Sequence, residues 1–138
     1  MRIRIQWMAA VAMAASIAGL ESGAHARAAH ASDEPETVLV TFHAQPGQET
    51  ALLQVLRDDR ATLRRLDLVD EAPFVLVRAA DGAGAVRYVE IFTWKSAEIP
   101  DHAPPEVRAN WDRMQKLVQP RGGTPGIDFE QVQLLADK

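Results

Sequence analysis

The chain has 138 residues, with 15 Lys and Arg side chains against 19 Asp and Glu side chains, and it contains no cysteine. The lack of cysteine excludes disulfide bonds, thiol nucleophiles and zinc–thiolate sites. A net charge of −4 makes nucleic acid and anionic membrane surfaces poor partners.

The start of the chain has the layout of a secretory signal peptide. Arg2 and Arg4 form a short basic segment, and residues 8–20 form an uncharged apolar run. Residues 24–26 and 29–31 both read Ala-His-Ala, a small-x-small pattern that suits cleavage. The apolar run has 13 residues, fewer than the roughly 20 that a membrane-spanning helix needs. We therefore predict export rather than membrane insertion.

Cleavage is predicted after residue 26, with residue 31 as the alternative, which leaves a single domain over residues 32–138. Removal of residues 1–26 leaves 13 basic and 18 acidic side chains, a net charge of −5. The mature protein is expected in the periplasm or outside the cell. An unfolded exported chain carries no flavin or nicotinamide, so we expect no cofactor, or one that is bound after export.

The predicted elements alternate between strand and helix. Residues 37–43 are β-branched and apolar, which indicates a strand, and residues 48–66 place leucines at helical spacing. Residues 73–80 and 85–94 predict two strands, joined by the hairpin-sized link DGAG.

A proline-rich loop over residues 95–105 then leads to a second helix, with an apolar face running from Val107 to Val118. This helix must end by Pro120, and RGGTPG turns the chain into a last strand over residues 127–135. The order β-α-β-β-α-β predicts an α+β fold of the ferredoxin-like type.

Two helices can cover only one face of a four-stranded sheet, yet both faces of the predicted sheet are apolar. On the third strand, Tyr88 and Phe92 lie on one face while Val89 and Ile91 lie on the other. A second copy that presents the same sheet would cover the exposed face. We therefore predict a homodimer.

Several stretches resemble the antibiotic biosynthesis monooxygenase (ABM) type of dimeric α/β barrel. They are the QPGQETALLQVL start of the first helix and the stretch YVEIFTWKSAEIPDHAPPEVRANWDRM, in an element order that matches over about residues 37–135. In such proteins an aromatic third strand ends in a tryptophan, serine or acidic stretch, and a histidine often precedes the second helix. The resemblance implies the dimeric barrel fold. Its implied functions are mixed: cofactor-free oxygenation of aromatic polyketides and quinols, haem degradation, or no known reaction.

Glu90 is the first catalytic candidate, because it shares a strand face with Tyr88 and Trp94. A buried carboxylate beside aromatic rings can have a raised pKa and accept a proton from a phenol. The alternative is a cross-strand ion pair with Arg78, or a pair across the dimer interface.

His102 is the second catalytic candidate, at the position that the ABM resemblance gives to a histidine. It lies just before a helix N-terminus, whose dipole favours the neutral ring and so a base or haem ligand. The alternative is a solvated loop histidine.

Five further residues are candidates for substrate binding: Trp94, Tyr88, Asn110, Trp111 and His43. For the two tryptophans the alternative is a place in the core. For Asn110 and His43 it is the protein surface. No spacing of residues predicts a metal site.

Three functions follow from these observations. The first is a cofactor-independent monooxygenase acting on a small electron-rich aromatic such as a quinol, with Glu90 or His102 as the base. The second is a haem or small-aromatic binder, with His102 as an axial ligand. The third is a catalytically silent dimer.

Overall fold

A computed structural model describes residues 33–136 of the chain. The predicted signal peptide and both predicted cleavage positions lie outside the described residues. Within residues 33–136, no helix is long and apolar enough to cross a membrane.

The described chain forms four strands and two long helices in the predicted order. They are β1 (Glu36–His43), α1 (Glu49–Arg65), β2 (Val75–Ala80), β3 (Val86–Trp94), α2 (Pro105–Gln115) and β4 (Ile127–Gln131). The sheet order is β2-β3-β1-β4, and all neighbouring strands are antiparallel. This confirms the ferredoxin-like prediction.

Some boundaries differ from the predicted ones. β4 ends at Gln131, opposite Val38 of β1, rather than at residue 135. The N–H of Val132 still donates to the carbonyl of Thr37, and there the pairing stops. A short 3-10 helix, Ile99–His102, occupies part of the predicted loop.

The core lies between the helices and one face of the sheet, here called the inner face. α1 buries Leu52, Leu56 and Leu63 against it, since these positions recur at helical spacing. From α2, Val107 and Met114 are buried in the same layer.

The outer face of the sheet is apolar and only partly covered by the described residues. Leu39, Val89 and Ile91 are half-buried there, while Val75 and Val77 are 40% and 46% exposed. The register places these five residues on one side, because Leu39 pairs with Ile91, Ile91 with Val75, and Val89 with Val77. The predicted two-sided apolar pattern is therefore present.

Candidate functional site

A cavity of about 390 Å³ lies between the inner face of the sheet, α2 and the loop that precedes β4. Its wall is mostly apolar and aromatic, with carboxyl groups among the polar members. The lining residues are Val40, Phe42, Asp59, Glu90, Phe92, Trp94, Trp111, Met114, Gln115, Gly123, Thr124, Pro125, Ile127, Asp128 and Phe129.

Glu90 lies in the middle of β3, opposite Val40 of β1 and Leu76 of β2. It is only 5% exposed, and it lines the cavity. Burial raises its pKa to about 8, and the nearby charge of Asp59 adds to the rise, while Arg60 acts against it. The Glu90 carboxyl is therefore mostly neutral at pH 7.

Asp59 is the second acidic group of the cavity, and it comes from α1. Burial raises its pKa to about 6, although hydrogen bonds from Asn110 and Trp111 lower it. The amide nitrogen of Asn110 donates to Oδ1 of Asp59 over 3.2 Å. Near pH 7 the two carboxyl groups together therefore hold about one proton, mostly on Glu90.

Arg60 is the cation nearest to this acidic pair, but its hydrogen bonds run elsewhere. Its Nη2 donates to the carbonyls of Asp70 and Glu71 over 3.3 and 3.4 Å, and its guanidinium lies 4.1 Å from the ring centre of Phe74. It does not line the cavity. The acidic pair thus has a distant positive charge but no cation in contact with it among the described residues.

The predicted ion pair of Glu90 with Arg78 does not form. Arg78 lies opposite Tyr88, diagonal to Glu90, and its side chain is exposed. The charges that shift the pKa of Glu90 belong to α1 instead of β2.

Two tryptophans form the aromatic wall. Trp94 is 1% exposed and meets Phe92 and Trp111 edge to face, at ring-centre distances of 5.1 and 6.4 Å. The indole Nε1 of Trp94 is buried without a hydrogen-bond partner among the described residues. Both tryptophans line the cavity and also pack in or against the core, so a place in the core and a place in the pocket wall are compatible.

The remaining predicted site residues lie outside the cavity wall. His102 is exposed at the end of the 3-10 helix, and Nε2 of His43 is 2.9 Å from Oδ2 of Asp128. Tyr88 is buried and donates its hydroxyl to the carbonyl of Glu49, at the start of α1. Asn110 is buried rather than on the surface, and its side-chain amide donates a hydrogen bond to Asp59.

Asp59 is the main residue that the sequence analysis missed. It lies three residues after Leu56 and four before Leu63, on the same apolar stripe of α1. A carboxylate on a leucine stripe was therefore a usable signal. Met114 and Phe129 were also missed, and both have the apolar spacing of ordinary core residues.

The loop that closes the cavity is fixed at its base by Gly126. This glycine has a φ of 101°, and a Cβ there would lie 2.3 Å from the carbonyl oxygen of Gln119. Nearer the tip, Arg121 pairs with Asp81 of the hairpin between β2 and β3 over 2.7 Å. The cavity-lining residues Gly123, Thr124 and Pro125 lie between these two fixed points.

The chain matches no family model and no curated protein, but solved structures share its fold. A candidate antibiotic biosynthesis monooxygenase from Caulobacter crescentus CB15 is 15% identical, with a TM-score of 0.58 over 81% of this chain and all of that one. SnoaB, a cofactor-independent oxygenase from Streptomyces nogalater, is 16% identical, with a TM-score of 0.56 over 75% of this chain and 96% of that one. Rv0793 from Mycobacterium tuberculosis is 15% identical, with a TM-score of 0.54 over 75% of this chain and 98% of that one.

This chain has the ABM-type fold. The predicted resemblance is confirmed at that level by neighbours that cover most of the described residues. At 14 to 16% identity, the likeness concerns the fold alone, and the chemistry of this cavity has to be argued from its own residues.

Proposed function

We propose that this ABM-like protein is a cofactor-independent oxygenase that oxidises a small phenolic or quinol-like aromatic in the cavity beside Glu90. The observation that carries the proposal is the placement of two buried carboxyl groups, Asp59 and Glu90, in one pocket lined by aromatic rings, where burial raises the pKa of both. Such a pair can accept a phenolic proton near neutral pH and return it later in the reaction. The ABM-type fold, which SnoaB shares, is consistent with this class of reaction.

The reaction needs no group beyond the substrate and O₂. The ionised member of the pair takes the phenolic proton, and the electron-rich phenolate passes one electron to O₂. The resulting radicals join at a ring carbon that bears hydrogen, para to the oxygen in a simple phenol or 1-naphthol and ortho to it in a hydroquinone, and the pair returns its proton to give a hydroperoxide. Loss of water, which takes the hydrogen of that carbon, leaves a quinone. One phenol and one O₂ thus give one quinone and one water, with O₂ accepting four electrons.

Each part of the cavity has a role in this proposal. The rings of Trp94 and Trp111 would hold a flat substrate against the sheet. Asn110 keeps the Asp59 carboxylate in place by its hydrogen bond. A substrate that fills the cavity would displace its water, which strengthens the electrostatic effect of the acidic pair on a bound phenol.

The test is oxygen uptake with a panel of hydroquinones and 1-naphthols, compared with the uncatalysed rate. Glu90→Gln and Asp59→Asn should each lower kcat by about 10² to 10⁴, the usual contribution of a general base. Glu130→Gln, at an exposed position of β4, is the matched control and should leave kcat unchanged. Wild-type rates equal to the uncatalysed ones, or a kcat in both cavity variants equal to that of the wild type, would contradict the proposal.

The haem-binding alternative lacks an axial ligand in the cavity. His102 is exposed outside it, and His43 is hydrogen-bonded to Asp128. Among the described residues, no group of three or more His, Asp or Glu side chains is placed to hold a metal ion. Glu90 and Asp59 therefore offer acid–base chemistry, and none of the histidines within residues 33–136 lines the wall to bind iron.

We also propose that the protein works as an exported homodimer. The Arg2 to Ala31 segment supports export, because its layout is that of a signal peptide. The apolar outer face supports a two-fold partner, because Val75 and Val77 are large exposed hydrophobic residues on a sheet face that the described residues leave partly uncovered.

A further inference from the structure

We propose that the cavity selects an aromatic ligand that carries a protonated amine, with the ammonium group against Glu90 and Asp59 and the ring against the aromatic wall. This inference goes beyond the proposed function, because it concerns the charge of the ligand. It can hold or fail without any reaction with O₂.

The charge of the lining is the first argument. The wall contains three carboxyl groups, those of Asp59, Glu90 and Asp128, and among the described lining residues there is no Lys, Arg or His. Oδ2 of Asp128 is already paired with His43 at 2.9 Å. Asp59 accepts hydrogen bonds from the neutral Asn110 and Trp111, and neither Asp59 nor Glu90 forms an ion pair with another described residue. A cation would complement these two buried carboxyl groups.

The state of Glu90 is the second argument. Its side chain is 95% buried and lines the cavity, and no hydrogen bond joins it to another described residue. A polar group that is buried in this way costs free energy unless it finds a partner. The neighbouring cation, Arg60, donates to the backbone of Asp70 and Glu71 instead. An ammonium group in the cavity would supply both the missing hydrogen bond and the missing positive charge.

The aromatic wall is the third argument. Phe92 and Trp94 follow Glu90 on the same face of β3, two and four residues along the strand. Trp111 donates a hydrogen bond to Asp59 from the other side. A cation held by this acidic pair would therefore lie close to aromatic rings, whose faces attract ammonium groups.

Binding of a cation must be coupled to proton release. In the empty cavity, burial raises the pKa of Glu90 to about 8, so this carboxyl is largely protonated at pH 7. A bound ammonium favours the ionised carboxylate and lowers its pKa, so up to about one proton leaves per ligand. The other charged groups around Glu90 are Asp59 and Arg60 from α1 and Asp128 from β4, while α2 faces the pair with the neutral Asn110 and Trp111.

Three probes that share an indole ring test the inference by isothermal titration calorimetry with the mature protein. They are tryptamine, which is cationic, tryptophol, which is neutral, and indole-3-acetate, which is anionic. At pH 7.5 tryptamine should bind at least about 10-fold more tightly than tryptophol, and indole-3-acetate should bind most weakly. Titrations in buffers of different ionisation enthalpy should show proton release with tryptamine only. The affinity for tryptamine should rise between pH 6 and pH 8.5.

Variants separate recognition of the charge from simple filling of the cavity. Glu90→Gln should weaken tryptamine binding about 10-fold or more and remove the proton release, while tryptophol binding stays within about 3-fold. Asp59→Asn is a second variant with the same expectation, and Glu130→Gln is the control at an exposed position. Equal binding of tryptamine and tryptophol, equal losses for both in Glu90→Gln, or no tryptamine binding at millimolar concentration would overturn the inference. A protein that binds tryptamine in this way but consumes no oxygen would contradict the oxygenase alone.

Discussion

The substitution Glu90→Gln should stabilise the protein at alkaline pH and have little effect at pH 5. Burial holds the pKa of Glu90 at about 8 in the folded state, against 4.5 in the unfolded chain. A folded-state pKa above the unfolded value gives stability that is fully present below pH 4.5. That stability is lost as the pH rises towards 8. Glutamine has nearly the same shape and stays neutral, so the Glu90→Gln variant should keep this stability at alkaline pH.

The magnitude follows from the size of this shift. One pKa unit corresponds to about 1.4 kcal/mol, so a rise from 4.5 to about 8 corresponds to about 5 kcal/mol as an upper figure. The cavity gives water access to the carboxyl, which reduces the effect to roughly 2 to 5 kcal/mol at pH 9. With an m-value of about 2 kcal/mol per M, the urea midpoint of the variant should exceed that of the wild type by about 1 to 2.5 M at pH 9.

Urea unfolding at pH 5, 7 and 9, followed by tryptophan fluorescence, measures this difference, because Trp94 is buried in the fold and becomes exposed on unfolding. The difference in free energy of unfolding between the two proteins should be near zero at pH 5 and should grow with pH. Glu130→Gln, an exposed strand position, should follow the wild type at all three values. A difference that stays constant from pH 5 to pH 9 would refute the assignment of a raised pKa to Glu90.

Three further predictions concern assembly, packing and export. Light scattering of the mature protein at micromolar concentration should give twice the monomer mass, because a partner would cover Val75 and Val77 on the outer face; a monomer would argue against that cover. Phe92→Asp should destabilise the fold by about 4 kcal/mol or more, because Phe92 is buried on the inner face; an unchanged urea midpoint would show that the site tolerates a charge. Intact-mass analysis of a periplasmic fraction should find a chain that begins at Arg27 or Ser32, whereas a cytoplasmic chain that keeps Met1 would contradict export.

Periodicity in the sequence was enough to predict the sheet face of each residue on β3 and the apolar stripe of α1. Both signals depend only on local geometry, with a period of two residues in a strand and 3.6 in a helix. The common strand face of Glu90 and Trp94 therefore follows from the sequence, but which face of the sheet lines the cavity does not. The resemblance to ABM-type proteins also rested on two stretches of sequence and on the order of the elements, and the fold agrees with it.

Contacts between elements could not be predicted in the same way. The sequence places Arg78 on the same face as Glu90, but the register sets Leu76 opposite Glu90 and leaves Arg78 exposed at the sheet edge. The position of Asp59 above Glu90 depends on how α1 lies across the sheet, which no pattern within α1 reveals. The position of the His102 ring depends on the path of the loop after β3. Part of that loop forms a 3-10 helix, which leaves the ring exposed.

Different parts of the chain supply the acidic groups of the cavity and the loop that closes it. Glu90 and Asp59 lie within long regular elements, whereas Gly123, Thr124 and Pro125 belong to a loop that Gly126 fixes at its base. Substitutions or insertions between Arg121 and Pro125 can therefore reshape the mouth of the cavity without moving the acidic pair. Ligand preference in this protein can diverge, or be redesigned, at the mouth while the proton chemistry stays unchanged.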